Sequence, residues 1–301
     1  MVHRVLTGDQ VEVAVTRLTR DPDGPARPPV VLVHGTFCER NFWASDAGLG
    51  LGPTLLGLGY DVWIPEARGH GRSPRDRRFS SWSAEDQLRH DLPAVQALVA
   101  RETGQPGHWI GHSWGGTAIL AALGMDWIDG GAVRSLVVLG ANITEGDDWL
   151  KKPLPAAAGR VVLALLGRVP ARLLRMGPAP ESRAYLLDFY RWKGQDPVWQ
   201  TREGQSYWEG VGRIQAPLLA FAAADDTNDP APGCRTLYDA VGSPEKSWVL
   251  LGTADGFERD YKHVEMIVSS AAAREVYPRI VSWLEAHEPR AGTQSPSPGA
   301  V

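Results

Sequence analysis

The sequence HWIGHSWGGTAIL, residues 108–120, constrains the fold more than any other stretch. Its first part has the apolar character of a buried strand, and its last part has the composition of a helix. Ser113 lies between the two in the pattern G-x-S-x-G. Gly111 and Gly115 favour a sharp turn there, because a side chain at either position would collide with its neighbours. Such a turn holds the serine hydroxyl at a helix N-terminus, where backbone N–H groups favour negative charge.

Ser113 has two interpretations. It is either a nucleophile or a helix N-cap serine that happens to be flanked by glycines, and the presence of catalytic partners decides between them. A hydroxyl is a weak nucleophile near neutral pH, so it requires a base and an acid that orients the base. In folds with this turn the acid and then the histidine follow the serine along the chain.

Two of the eight histidines, His263 and His287, follow the candidate acids. His287 belongs to the end of the last predicted helix. His263 lies in the loop between the last predicted strand and that helix, at the sheet edge where a base can reach the serine. His263 is therefore the predicted base.

The acid has three candidates, Asp225, Asp226 and Asp229, which follow a predicted buried strand. Each could instead form a turn or cap the next helix. The usual spacing places the acid four residues before a proline, here Pro230. This spacing selects Asp226, with Asp225 as the alternative, and leaves Asp229 as the better N-cap candidate.

An oxyanion that develops during acyl transfer needs hydrogen-bond donors. The backbone N–H groups of Thr36, just after a predicted strand, and of Trp114, just after Ser113, are the predicted donors. His34 stands at the end of the same early strand. We interpret it as a structural histidine that braces the loop, rather than as a catalytic base.

The rest of the chain alternates strands with helices, which is typical of a parallel sheet with helices on both faces. A helix is predicted to begin at Ser83 and to end at Gly104, and a last helix spans about 271–287. The first strand alternates apolar and polar residues, which predicts a half-exposed edge strand. The predicted strands are 10–18, 30–35, 60–67, 107–112, 133–142, 216–224 and 246–253.

The pattern changes over residues 142–215, where prolines, arginines and tryptophans mix with short helical stretches. This segment is the predicted cap, inserted into a core formed by 1–141 and 216–287. Residues 288–301 are rich in Pro, Ser and Gly, which predicts a disordered tail.

The predicted cap supports opposing interpretations. Its stretch 159–176 is apolar and carries arginines at 160, 168, 172 and 175. We favour packing of its apolar face on the core, and the alternative is an amphipathic lid that contacts lipid. The arginines could instead attract an anionic substrate. Four tryptophans either line an acyl pocket or anchor the predicted cap: Trp149, Trp192, Trp199 and Trp208.

Composition excludes several functional classes. The chain has 301 residues, 43% hydrophobic content, 22% charged content and a net charge of -4, which indicates a globular protein without a nucleic-acid surface. The first residues do not resemble a signal peptide, and the longest apolar run, 161–167, is too short to cross a bilayer. Cys38 and Cys234 form neither a disulfide framework nor a metal motif. We therefore expect a cytoplasmic protein without stable membrane insertion.

Five segments together resemble the α/β-hydrolase family: LVHGTF, GYDVWIPEARGHGRS, GHSWGG, DDTNDP and DYKHVEMI. The resemblance covers about residues 10–287. It implies an α/β fold with a mostly parallel eight-stranded sheet, flanking helices and an inserted, mainly helical cap after the sixth strand. It also implies acyl transfer to water without a metal or organic cofactor. The second segment is similar to the esterase-like and lipase-like branches.

The expected function is hydrolysis of an apolar carboxylic ester of small to medium size through Ser113, His263 and Asp226. Relatives that open epoxides or displace halide carry aspartate at the nucleophile position, so those reactions are disfavoured. The first alternative uses the same triad on a thioester, an amide or a carbon–carbon bond, or for acyl transfer to an alcohol. The second is a non-catalytic module that binds a ligand.

Overall fold

The computed structural model describes residues 1–20, 27–146, 161, 164–193 and 198–289. Ten strands are present in this part of the chain: β1 (Val2–Leu6), β2 (Glu12–Leu18), β3 (Arg27–Val33), β4 (Tyr60–Glu66), β5 (Gly107–His112), β6 (Val133–Leu139), β7 (Arg168–Val169), β8 (Glu181–Ser182), β9 (Leu218–Ala223) and β10 (Lys246–Leu251).

Eight of these strands form one sheet in the order β1-β2-β4-β3-β5-β6-β9-β10. β2 pairs antiparallel with β1 and with β4, and all the other pairs are parallel. The prediction of a mostly parallel eight-stranded sheet is therefore confirmed. Because the parallel strands end at one edge, the loops after β3, β5, β6, β9 and β10 converge there.

The prediction of an edge strand at residues 10–18 is wrong. β1 forms the edge, and β2 lies inside the sheet with five of its seven residues buried. Its polar residues mimicked an exposed face, but Thr16 and Arg17 are buried as well. The Arg17 guanidinium is neutralised by Asp61 on β4 at 2.8 Å, so a charge in the sequence did not mark a solvated side chain here.

Helices cover both faces of the sheet. The predicted start at Ser83 is confirmed, since its side chain and that of Asp86 form a capping box. The helices are α1 (Leu51–Gly57), α2 (Ala84–Asp86), α3 (Leu92–Thr103), α4 (Trp114–Gly124), α5 (Arg183–Lys193), α6 (Tyr207–Val211), α7 (Ala231–Ala240), α8 (Glu265–Val268), α9 (Ser270–Glu275) and α10 (Tyr277–Ala286).

Two predicted helices differ in detail from the structure. The helix from Ser83 to Gly104 consists of α2, a π-helical turn and α3, and it ends at Gly104 in the left-handed conformation. The predicted last helix, 271–287, is interrupted at Val276, which separates α9 from α10. Pro278 lies in the first turn of α10.

The segment between β6 and β9 contributes no described residue to the eight-stranded sheet. Its described part contains the short β7–β8 ladder, α5 and α6. The division into a core and a cap at residues 142 and 215 remains a prediction. Trp149, Arg160 and the predicted tail beyond residue 289 lie outside the described residues. Within the described chain, no helix combines the length and the apolar character needed to cross a membrane.

The favoured packing of the apolar stretch 159–176 on the core is wrong for most of its described large side chains. Leu165 and Leu173 are 81% and 80% exposed. Val161, Leu166, Leu174 and Met176 are exposed as well, whereas Val169 is partly buried. These exposures agree with the alternative of an amphipathic lid, because a face packed on the core would be covered.

Helix α6 packs on helix α4 through a close contact of two backbones. A Cβ atom added at Gly124 would lie 2.5 Å from the carbonyl carbon of Gly210, and one added at Gly210 would lie 2.8 Å from the Gly124 oxygen. Glycine is therefore required at both positions, since the neighbouring atoms are backbone that cannot rotate away.

We predict that Gly124→Ala lowers the free energy of unfolding by about 1–3 kcal/mol, because the added methyl group pushes α6 away from α4. Urea denaturation followed by circular dichroism measures this. Gly57→Ala at the end of α1 is the matched control, because a Cβ atom there meets nothing within 4 Å. Equal stability of the two variants would contradict the packing described here.

Candidate active site

Ser113 lies in a strained turn between β5 and α4. Its φ of 54° and ψ of -129° are rarely adopted by residues with side chains. A Cβ atom at Gly111 would lie 2.5 Å from the Gly116 nitrogen, and one at Gly115 would lie 2.3 Å from the Val33 oxygen. The predicted need for glycine at both positions is therefore confirmed.

His263 lies in the loop after β10, where it meets the loop after β9. Its Nδ1 lies 2.7 Å from Oδ2 of Asp226, whose side chain is fully buried. Asp225, the alternative acid, points elsewhere: its carboxylate is half exposed and lies 3.9 Å from the Lys262 ammonium. The geometry thus brings together the predicted base and the first choice of acid.

The environment of His263 raises its pKa. Burial disfavours the imidazolium, but the hydrogen bond to Asp226 and the negative charges of Asp229 and Asp226 together outweigh burial. The pKa of His263 therefore lies above its ordinary value. The Lys193 ammonium opposes part of this rise.

The prediction that Asp229 caps a helix is wrong. Pro230 occupies the N-cap of α7, without a side-chain cap. The Asp229 carboxylate turns into the site instead, and its Oδ2 accepts a hydrogen bond from the Ser113 hydroxyl at 3.0 Å. The same oxygen lies 3.7 Å from Nε2 of His263. The structure has no hydrogen bond between Ser113 and His263, both of which are described.

Two further side chains hold the other carboxylate oxygen of Asp229. The Asn142 amide donates to Oδ1 at 3.1 Å, and the Lys193 ammonium at the end of α5 lies 3.4 Å from the same atom. Lys193 is almost completely buried. A buried carboxylate and ammonium thus lie beside the predicted nucleophile.

The two predicted oxyanion donors are backbone groups next to or near Ser113. A Cβ atom at Gly35 would lie 2.9 Å from Cβ of Ser113, so the backbone before Thr36 passes directly beside the serine. Among the described residues, the backbone N–H groups of Thr36 and Trp114 donate no hydrogen bond. The next N–H, that of Phe37, is occupied by Glu181 Oε1 at 2.9 Å.

Two other histidines brace the loops around the site. His34 accepts a hydrogen bond from the Ala67 N–H through Nε2 and donates from Nδ1 to its neighbour's carbonyl, in agreement with its predicted structural role. Burial lowers its pKa to about 3, so it is neutral. His112 donates from Nε2 to the carbonyl oxygen of His263 at 3.0 Å. It thereby fixes the backbone that carries the predicted base.

A cavity of about 710 Å³ lies above Ser113 and is bounded by the segment between β6 and β9. Its wall is mainly apolar, with Arg168 and Arg175 among the lining residues. In the described chain, no group of three or more His, Cys, Asp and Glu side chains could hold a metal ion. Its apolar lining residues include Phe37, Val169, Pro170, Leu174, Met176 and Phe189.

The tryptophans of the predicted cap act as anchors rather than as cavity walls. Trp192 stacks on Trp114 with ring centroids 5.6 Å apart, and Trp199 packs against Tyr207 and Trp208. None of these three cap tryptophans lines the cavity, whereas Trp114 does.

Sequence reasoning missed Lys193, Asn142 and His112 as parts of the site. His112 could have been suspected from its place directly before Ser113. Lys193 carried no signal, because only the fold brings the end of α5 to the sheet edge.

A model of the alpha/beta hydrolase family matches residues 30–291. The chain belongs to the alpha/beta hydrolase family. The resemblance noted in the sequence is thereby confirmed, and the mostly parallel eight-stranded sheet is the one that the resemblance implies.

Known proteins with similar sequences include lipases. Human (Homo sapiens) lipase member N is 36% identical over 103 residues, which are 31% of this chain and 26% of that protein. Gastric triacylglycerol lipase of Bos taurus is 32% identical over 129 residues, 38% of this chain and 32% of that protein. The chain thus spans about a third or less of these curated relatives.

A solved structure extends the similarity to the whole fold. The monoacylglycerol lipase of Paleococcus ferrophilus has a TM-score of 0.62 and 18% identity, covering 91% of this chain and 99% of that chain. At this identity the likeness shows the fold alone.

We predict that the His263 ring titrates at a pH above 6.5 and that Asp226→Asn lowers this midpoint, because the substitution removes the negative charge at Nδ1. Histidine ring signals in an NMR pH titration measure it, with His263→Gln used to assign the signal. Asp225→Asn is the control and leaves the midpoint in place. An unchanged midpoint in Asp226→Asn would contradict the pairing.

Proposed function

We propose that this protein hydrolyses carboxylic esters with an apolar acyl or alcohol part, and that Ser113, His263 and Asp226 form its catalytic triad. One observation carries the proposal: a strained serine at a helix N-terminus faces an apolar cavity, beside a histidine that is bonded to a buried aspartate. The lipases among its relatives support ester chemistry.

In the proposed reaction the Ser113 oxygen attacks the ester carbonyl carbon while His263 Nε2 takes the hydroxyl proton. Asp226 holds the Nδ1–H tautomer and stabilises the imidazolium. The carbon–oxygen bond to the alcohol then breaks, and the alcohol leaves with the proton from His263. Water attacks the acyl-enzyme and gives a proton to the same nitrogen. The bond from the acyl carbon to the Ser113 oxygen then breaks, His263 returns the proton to that oxygen, and the acid is released.

The tetrahedral intermediate carries a negative oxygen. The backbone N–H groups of Thr36 and Trp114 are the proposed donors to it, supported by their lack of other acceptors among the described residues. Because Ser113 donates to Asp229, the proposed reaction requires its hydroxyl to turn towards His263 before attack. Rotation of a serine side chain between staggered positions costs little compared with the barrier of the reaction.

We predict that wild type hydrolyses p-nitrophenyl esters between acetate and laurate and that Ser113→Ala lowers kcat by about 10⁴- to 10⁶-fold, as for other triad nucleophiles. Absorbance of nitrophenolate measures turnover, and circular dichroism checks the fold. Ser80→Ala, an exposed serine, is the control. A maximum at short chains indicates a closed pocket, and a rise towards laurate indicates a lid that meets lipid.

A fluorophosphonate probe separates the alternatives. Labelling of Ser113 without ester turnover would indicate that the triad acts on thioesters, amides or carbon–carbon bonds instead. Absence of both labelling and turnover would favour a ligand-binding module. Full activity of Ser113→Ala would overturn the triad.

A second candidate substrate class is an ester or thioester with an anionic group. Arg168 and Arg175 line the cavity and are exposed, and neither forms an ion pair with an acidic side chain in the described chain. Two such cations at one rim attract negative charge.

We predict that Arg168→Gln combined with Arg175→Gln raises KM for monomethyl adipate about 5- to 10-fold at low salt and leaves KM for methyl hexanoate nearly unchanged, because only the first ester is charged. Titration of released acid measures both. Arg172→Gln, in the same stretch but outside the cavity, is the control. Equal effects on both esters would contradict anion recognition.

A further inference from the structure

The Asp229 carboxylate lies where a substrate's leaving group must pass. In an ester hydrolase with the proposed triad, His263 Nε2 gives its proton to the leaving oxygen, so that oxygen approaches to about 3 Å from Nε2. In the tetrahedral intermediate, the leaving oxygen and the Ser113 oxygen are bonded to the same carbon. Oδ2 of Asp229 is 3.7 Å from Nε2 and 3.0 Å from the Ser113 oxygen. It is therefore a neighbour of the leaving oxygen.

Asp229 is oriented for this contact. Asn142 and Lys193 both hold its Oδ1, which directs Oδ2 at the nucleophile. The carboxylate and the ammonium are both buried, and a buried ion pair alone contributes little net stability. Anchoring of α5 would account for the contact of Lys193 with Oδ1, but it does not require Oδ2 to face Ser113.

Attack removes a hydrogen bond from Asp229. When the Ser113 hydroxyl turns to His263, its hydrogen bond to Oδ2 is lost. A hydrogen-bond donor on the substrate can replace it, provided that the donor atom lies within three bonds of the leaving oxygen. A hydroxyl on the neighbouring carbon of the alcohol meets this condition.

We propose that Asp229 is a specificity-determining residue that binds a hydroxyl of the leaving alcohol, so that the preferred substrates are monoesters of vicinal diols or polyols. The inference rests on the proposed ester hydrolysis and adds the alcohol class to it. Lys193 is the counter-ion of Asp229, and Asn142 holds its Oδ1. The apolar wall of the cavity is left for the acyl chain.

The test compares 2-hydroxyethyl butyrate with 2-methoxyethyl butyrate. The two esters share the acyl group and nearly the same electron withdrawal, and differ in the donor. We expect wild type to prefer the hydroxyl ester by about 10- to 100-fold in kcat/KM, the range for a hydrogen bond to a charged group. Titration of released butyric acid measures both esters.

Asp229→Asn is expected to reduce this preference to less than about 3-fold. Because Asn142 and Lys193 both donate, the asparagine oxygen takes the Oδ1 position and its amide nitrogen takes the Oδ2 position. An amide N–H donates equally well to a hydroxyl or a methoxy oxygen. Asp229→Ala is the second variant, and Asp225→Asn, a half-exposed aspartate of the same loop, is the control that keeps the preference.

The outcomes separate the inference from the proposed function. Equal kcat/KM for the two esters in wild type, or a preference that survives in both Asp229 variants, overturns the role of Asp229 while ester hydrolysis stands. A preference that appears only on the acyl side, for ethyl 3-hydroxybutyrate over ethyl butyrate, overturns the assignment to the leaving alcohol. No turnover of any of these esters overturns the proposed function itself, and the inference with it.

Discussion

The close approach of three backbone segments around Ser113 is the constraint on which the rest of the site depends. The end of β3, the end of β5 and the start of α4 meet without intervening side chains, and a Cβ atom at Gly115 would lie 2.3 Å from the Val33 oxygen. Packing at this distance fixes the serine and the helix N-terminus as one rigid unit. The strained φ of Ser113 persists because the surrounding backbone leaves no relaxed alternative.

The loops that complete the site are held by polar contacts rather than by this backbone packing. His112 holds the carbonyl of His263. On the other side of the serine, the Tyr185 hydroxyl is hydrogen-bonded to the Thr36 hydroxyl. The Glu181 carboxylate accepts a hydrogen bond from the Phe37 N–H. Since Tyr185 and Glu181 belong to the segment between β6 and β9, a movement of this segment changes the loop that carries a proposed oxyanion donor.

Most of the sheet could be predicted from the sequence because its parallel strands are short apolar runs with clear boundaries. The convergence of Ser113, Asp226 and His263 was predictable for a related reason: each follows a strand, and parallel strands end at one edge. The edge strand was misplaced because Arg17 is neutralised by Asp61, a contact that no local pattern reveals. Asp229 was misassigned because its partners, Asn142 and Lys193, come from distant parts of the chain.

Asp226 and Asp229 affect the protonation of His263 differently because their carboxylates lie near different ring nitrogens. Asp226 accepts from Nδ1, which fixes the proton there and leaves Nε2 without one, as the proposed mechanism requires of the base. Asp229 lies near Nε2 and cannot set the tautomer in this way. Its charge favours the imidazolium but opposes a nearby oxyanion, and the Lys193 ammonium on its far oxygen reduces the second effect. The Asp229–Lys193 pair is nearly neutral as a whole, yet it presents the acceptor oxygen Oδ2 to the site. It is therefore better suited to bind a hydroxyl group than to act as a second base.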